Sequence, residues 1–408
     1  MKRVLPPAGL TALACVIEIL SMTPLSTFPS LIPVFRAEWG ISNTAAGWIS
    51  GVYFAGMLGA VAVFTALTDR MDPKRIFLLG LAISCLGALG FALSAEGAWS
   101  AGAWRLLQGV GLGGTYMPGL KLLTDLLPAR NASRATAFYT ATYFLAAGLS
   151  YLVALELEAA FGWVWTFAAV ALGPLAGLLL ALLLLPAPPP SAHRPPGRLL
   201  DFRPVLASRR ALGFALIYAL HNLEVFAFSS WLVPLLVFSR SLQDPAALGL
   251  DWHLGTIAFL VSVVALPASI AGNEVAQRIG RQRVIIGVML TSAALGVVLG
   301  ALPGAAYALV VGLTFAYSMA IAADSATTTA GVIEVALPGY RGTTMSLYAI
   351  IGFSGAFAGP VIFGAALDLA GGDQTPAAWL AAFATISLLV LLGPLVVRRL
   401  IGMAPTAR

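Results

Sequence analysis

Asp69-Arg70-Met71-Asp72-Pro73-Lys74-Arg75 is followed by an apolar run, Ile76 to Ala95, without one charged side chain. About 20 such residues let a helix cross roughly 30 Å of hydrocarbon, and lysines and arginines gathered at one end mark the end held in the cytoplasm. Working outward from this run, comparable ones lie at roughly 10 to 34, 44 to 67, 99 to 123, 135 to 160, 163 to 185, 211 to 238, 254 to 276, 284 to 302, 304 to 333, 343 to 369 and 377 to 397. The pattern predicts an all-α integral membrane protein with twelve transmembrane helices.

Composition agrees. Of 408 residues, 59% are hydrophobic and 10% charged, where a soluble domain carries roughly 25% charged residues. Mean hydropathy is +0.91. A net charge of +6 raises the question of a nucleic-acid partner, which the placement of the basic residues answers. With both termini in the cytoplasm, 19 of the 23 lysines and arginines fall on the inner side; Arg36 and Arg240 fall outside, and Arg105 and Lys121 lie within the fourth run. This bias sets orientation in a bilayer, so no nucleic-acid partner is expected. Cys15 and Cys85 both sit in apolar runs, which leaves no disulfide framework and no CxxC metal site. Lys2 and Arg3 before an apolar run imitate a secretion signal, but that run continues past Glu18 to about Val34 and reads as the first membrane helix.

The only long polar interruption is Pro186 to Ser208, rich in proline and arginine. It reads as an extended cytoplasmic linker between residues 1–185 and 209–408, each a six-helix bundle. The bundles resemble each other. Gln277-Arg278-Ile279-Gly280-Arg281-Gln282-Arg283 echoes the opening stretch at an offset of 208, Pro234 parallels Pro33, and Leu337-Pro338 parallels Leu127-Pro128. Alternating-access carriers are built from such repeats.

At these residues the chain resembles the major facilitator superfamily. Asp69, Arg70, Lys74 and Arg75 occupy the charged positions of that family's loop between helices 2 and 3, with Thr65 and Asp72 where glycines are preferred. Arg105-Leu-Leu-Gln108-Gly109-Val-Gly111-Leu-Gly113 resembles its fourth helix, and Gly355-x-x-x-Gly359-Pro360-x-x-x-Gly364 its eleventh. The drug-antiporter Gly-Pro signature is absent from the fifth helix, where Ala141 to Val153 has Gly148 and no proline. The resemblance implies two pseudo-symmetric bundles and a cavity lined by helices 1, 4, 7 and 10, and a monomer is expected.

Charges at membrane depth are costly unless partnered, so each is a functional candidate by default. Those here are Glu18, Arg105, His221, Glu224 and Asp324, on the four helices that the resemblance assigns to the cavity. His221, Glu224, Phe228 and Trp231 share one helical face; so do Arg105, Gln108, Leu112 and Tyr116, and Tyr317, Asp324 and Thr328 form a third polar stripe. These are the expected walls for substrate or proton coupling. A buried hydrogen bond fixing helix packing is the alternative for Glu18, a structural role for Arg105, and a satisfied core histidine for His221. Glu18, Glu224 and Asp324 are the candidate proton carriers, because low dielectric penalises a charged carboxylate. Three acids against one arginine favour a neutral or cationic solute.

A second set, Asp69, Arg70, Arg75, Asp125, Arg134, Glu334 and Arg341, lies at cytoplasmic helix ends. A solvated loop face is one reading. The resemblance implies a gate, with Asp69 capping helix 11 and Arg70 pairing with Asp125. Asn131-Ala-Ser133 matches a glycosylation sequon on the inner side and is incidental.

No Gly-x-x-x-x-Gly-Lys loop is present among Lys2, Lys74 and Lys121, so ATP-driven pumping is excluded. With no HExxH and histidines only at 193, 221 and 253, an enzyme is not expected, nor a metal or cofactor. The expectation is a secondary transporter of the inner cell membrane moving a small polar or amphipathic solute, coupled to protons. A drug or sugar efflux antiporter, or a non-transporting sensor on the same fold, is the alternative.

Overall fold

The computed structural model describes residues 5–68, 71–186, 202–244, 252–337 and 340–402, without the side chains of Thr65, Ala66, Ala129, Ser133 and Arg341. These residues are helical almost throughout. Nine segments among them are long and apolar enough by themselves to cross a membrane. The count rises to twelve for three physical reasons. One segment, Ala129–Leu184, is two helices joined at Gly162, whose φ of +78° suits glycine and halts the first helix. A second, Ala98–Leu126, carries Arg105, Lys121 and Asp125 and so falls short on hydropathy. The third is interrupted and reads as Pro7–Ser21, Thr27–Ser30 and Ile32–Trp39.

We number the helices accordingly. α1 is the interrupted Pro7–Trp39 helix, α2 Asn43–Leu67, α3 Pro73–Ser94 and α4 Ala98–Leu126; α5 and α6 share Ala129–Leu184. α7 is Arg209–Ser241, α8 Leu254–Ile279, α9 Arg281–Ala301, α10 Tyr307–Val335, α11 Arg341–Leu369 and α12 Pro376–Ile401. The expected runs match these helices to within a few residues. α10 is divided into Tyr307–Ala322 and Ser325–Val335. Of the linker, Arg203–Ala207 forms one short helix, while residues 187–201 fall outside the described set.

The chain forms two compact units, Met1–Leu31 with Val52–Leu199, and Ile32–Gly51 with Leu200–Arg408. The core of the first gathers Leu10, Ile17, Phe77, Leu81, Leu122 and Tyr139 from α1, α3, α4 and α5. Phe91 stacks on Phe167 with ring centroids 3.8 Å apart. The core of the second is aromatic: Trp231 stacks on Phe363, Phe238 on Trp379, and Phe383 meets Phe363 edge-on.

The second unit also holds the Ile32–Gly51 segment by polar contacts that hydropathy does not reveal. Asp368, near the end of α11, accepts hydrogen bonds from the Asn43 backbone and amide at 3.1 and 2.8 Å and from the Thr44 backbone and hydroxyl at 2.8 and 2.6 Å. A carboxylate on the free N–H groups of a helix start satisfies donors that the helix itself cannot. Arg36 pairs with Asp373 beside it.

The glycine patterns have a packing cause. A side-chain carbon at Gly109 of α4 would lie 1.8 Å from the Tyr53 carbonyl oxygen, and one at Gly355 of α11 would lie 1.9 Å from that of Ala219. Gly59 has nothing within 4 Å of the same position. Gly109→Val and Gly355→Val are therefore expected to lower thermal stability by roughly 1–3 kcal/mol each, read as loss of folded, monodisperse protein on heating. Gly59→Ala should leave it unchanged or raise it slightly.

Candidate functional site

In the first unit, prolines break α1. Leu20 O and Leu25 O would normally be bonded by the N–H groups of residues 24 and 29, but both are proline and have none. Thr23 reaches Leu20 O instead, through its backbone N–H at 3.4 Å, and its hydroxyl is shared between Leu20 O at 3.0 Å and Val170 O of α6 at 2.8 Å. Arg105, fully buried on α4, takes the next two carbonyls: Nη1 donates to Pro24 O at 2.9 Å and Nη2 to Leu25 O at 3.0 Å. Its Nη1 also donates to Gln108 Oε1 at 2.8 Å, Gln108 Nε2 donates to Gly87 O at 3.1 Å, and the guanidinium carbon lies 4.1 Å from the centre of the Tyr53 ring. Ser150 closes the remainder, accepting from Ser26 N at 2.9 Å and donating to Thr23 O at 2.7 Å. Arg105 and Gln108 thus act here as a brace on α1.

Glu18 lies on the intact part of α1, fully buried, with Oε2 accepting from the Tyr139 hydroxyl at 2.5 Å. Its Oε1 has no hydrogen-bond partner among the described residues. Tyr116 stands beside this pair, its ring 6.1 Å from that of Tyr139 and 6.2 Å from that of Tyr143.

In the second unit, the His221 and Asp324 side chains meet at 2.8 Å between Nδ1 and Oδ1, both almost completely buried. Glu224, one turn along α7 from His221, accepts from Ser292 of α9 at 3.0 Å and from the Tyr317 hydroxyl of α10 at 3.0 Å. Further along the same face Phe228 meets the Tyr317 ring edge-on at 4.9 Å, and Trp231 donates to Pro360 O at 3.2 Å. The stripe His221, Glu224, Phe228 and Trp231 is thus one face, and it is packed against α9, α10 and α11 of its own unit. Thr328 is fully buried one turn beyond Asp324, and its backbone N–H donates to Asp324 O at 2.8 Å. Tyr139, Ser292 and Tyr53 are partners that sequence reading missed. Apolar runs carry no signal of which way a helix is rotated, although Ser292 is one of few hydroxyls in its run.

Of the expected gate, Asp69 and Arg70 lie outside the described residues, as does the Arg341 side chain. Asp125 pairs with Lys121 of its own helix at 3.0 Å. Arg75 and Arg134 are exposed, the latter 5.7 Å from the Phe138 ring. Glu334 receives Arg281 through both oxygens, at 3.0 and 2.5 Å, with Arg281 also reaching Asn273 at 3.1 Å. Among the described residues no three metal-ligating side chains cluster.

The match to known proteins follows this architecture. The family model of the Major Facilitator Superfamily matches residues 14–250, more than half of the chain, and the chain belongs to that family. It is 30% identical over 162 residues to an uncharacterised MFS-type transporter of Mycobacterium tuberculosis, covering 40% of this chain and 28% of the relative. It is 31% identical over 159 residues to a gallate transporter of Pseudomonas putida, covering 38% and 34%. The chain thus spans about a third of the length of the curated relatives it matches. The crystal structure of a D-xylose-proton symporter superposes with a TM-score of 0.73 at 15% identity, covering 96% of this chain and 97% of the other. Family and fold place the chain among multi-pass membrane proteins of a family whose matched members are named as transporters.

The brace makes a prediction. Lysine offers one ammonium and cannot fork to two carbonyls, so Arg105→Lys should cost on the order of 3 kcal/mol, measured by thermal unfolding of the detergent-purified protein. Glu334→Gln removes a pair whose carboxylate side chain is 59% exposed and should change stability by about 1 kcal/mol or less. An Arg105→Lys protein as stable as the parent would show that α1 needs no brace.

Proposed function

We propose that this chain is a secondary active transporter of the cytoplasmic membrane that moves a small polar or amphipathic solute by alternating access, coupled to protons. It works as a monomer, without metal or cofactor, with both termini in the cytoplasm. Residues 1–185 and 209–408 act as its two repeats and 186–208 as their tether.

The observation that carries this reading is the buried network of the second unit, where His221 meets Asp324 and Glu224 is held by Ser292 and Tyr317. Two acids and an imidazole at membrane depth are costly to bury and can each bind or release a proton. A change of protonation there alters hydrogen bonds joining α7, α9 and α10 together, so proton binding biases the conformation of the whole unit. Glu18, with its single tyrosine partner, is the corresponding acid of the first repeat. Asp69, Arg70, Arg75, Asp125, Arg134, Glu334 and Arg341 serve as the cytoplasmic gate, apart from the solute's path.

Gallate, named as the cargo of one relative, carries a carboxylate. In this chain Arg105, the arginine deepest in the membrane-spanning helices, is committed to α1, which favours a neutral or cationic cargo instead.

Reconstituted protein given a substrate found by a thermal-shift screen of sugars, amines, organic acids and antibiotics should transport it faster under a proton gradient. Glu224→Gln and Asp324→Asn should each lose that acceleration by roughly tenfold or more while remaining folded. Transport indifferent to the gradient in the parent protein, or gradient-driven transport surviving in both variants, would contradict proton coupling.

A further inference from the structure

The breaks in α1 and α10 differ in what they leave unsatisfied. At the α1 break the freed carbonyls of Leu20, Thr23, Pro24 and Leu25 are all taken by protein donors. The α10 break contains no proline. Its bend at Ala323 and Asp324 fits against α8, where a side-chain carbon at Gly272 would lie 1.8 Å from Ala323 O. Asp324 occupies the start of the second half-helix, but its side chain does not cap that helix and turns instead to His221.

Around this second break, polar atoms are buried without partners. Among the described residues, Thr327 Oγ1 and Thr328 Oγ1 make no hydrogen bond, and both residues are 0% exposed. Each such group costs roughly 1–3 kcal/mol relative to a satisfied one. Thr328 follows Asp324 by one turn, so an orphaned hydroxyl stands on the same helix face as the pair. Beside them the Tyr218 and Tyr348 rings stack at 4.1 Å and 5°. Tyr218 also lies parallel to the His221 ring at 6.1 Å, and the Tyr348 hydroxyl is 3.1 Å from Thr329 Oγ1. Flat aromatic walls, a carboxylate and buried hydrogen-bonding groups therefore share one end of α7, α10 and α11 within the second unit.

We infer that the α10 break is the solute-recognition point, and that it takes a ring-bearing solute presenting a hydroxyl or amine to Asp324 and Thr328 and not a carboxylate. This rests on the transport reading above. Asp324 accepts from the solute's O–H or N–H, and the Thr328 hydroxyl either donates or accepts. An extra carboxylate would face Asp324, a like-charge contact in low dielectric. A site whose buried polar groups are completed only by the correct ligand discriminates strongly against analogues lacking the matching group. Broken helices at membrane depth elsewhere carry substrate sites for the same reason.

Tyramine, tyrosol and 4-hydroxyphenylacetate form a matched series, one ring carrying an amine, a hydroxyl or a carboxylate. Added to the purified full-length protein, tyramine or tyrosol should raise the midpoint of thermal unfolding by about 2 °C or more, and 4-hydroxyphenylacetate by less than about a third of that. Thr328→Val replaces an orphaned hydroxyl by a methyl of the same shape, so the unliganded variant should be as stable as the parent or more so. Its ligand-induced shift should nevertheless be lost, as should that of Asp324→Asn. A purely structural role for Thr328 would leave the shift in place.

Equal or larger stabilisation by the carboxylate, no shift with any of the three, or a shift that survives both substitutions would overturn the assignment. Proton coupling is read separately, from gradient-driven uptake of the screened substrate in the parent protein, and stands or falls on that assay alone.

Discussion

A helix that crosses hydrocarbon can be interrupted only where another part of the protein takes over the backbone groups it frees, because no water is present to do so. Pro24 and Pro29 impose that condition on α1, and Arg105 meets it. Its fork requires α4 to lie close by, and α4 is seated on its other neighbours through small residues: Gly109 rests on the Tyr53 carbonyl of α2, and Gly87 of α3 offers its own carbonyl to Gln108. The first unit is organised around this arrangement. The arginine that sequence reading places in a substrate path is held by carbonyls, an amide and a tyrosine face.

The second unit obeys the same constraint and resolves it differently. The break in α10 has no proline, is seated on Gly272, and keeps Asp324 turned towards His221. Glu224 is gripped by neutral donors from two other helices. A break whose freed carbonyls are all taken is a rigid one, whereas a break flanked by titratable groups and orphaned hydroxyls has alternatives close in energy. In the proposed reading, this difference between the units lets one serve as frame and the other as sensor of protons and solute.

Much of the fold is legible in the chain because membrane burial writes a strong signal, long apolar runs closed by arginines, and the helices fall on those runs. The glycine spacings of α4 and α11 are also legible, since a missing Cβ is the direct condition for backbones in contact. The site is legible only in part. Glu18, His221, Glu224 and Asp324 stand out as charges in apolar sequence and Tyr317 through its polar stripe, but the partners Tyr139 and Ser292 lie on helices whose rotation hydropathy does not record. The periodicity that joins His221 to Trp231 identifies one face without saying what the face meets, and in the structure it meets α9, α10 and α11. Asp368 on the start of α2 is hidden for another reason: a cap links residues more than 300 positions apart, and no local pattern announces it.

Hydrogen exchange of the protein in lipid nanodiscs tests most directly whether one break is a brace and the other a working site. The amides of Thr23, Leu25 and Ser26 are bonded at the α1 break. The account predicts that residues 22–31 exchange roughly tenfold or more slowly than residues 320–330 and are insensitive to pH-corrected changes of proton concentration, whereas the latter respond to them. Equal or faster exchange at the α1 break, or an α10 break that never responds, would contradict it.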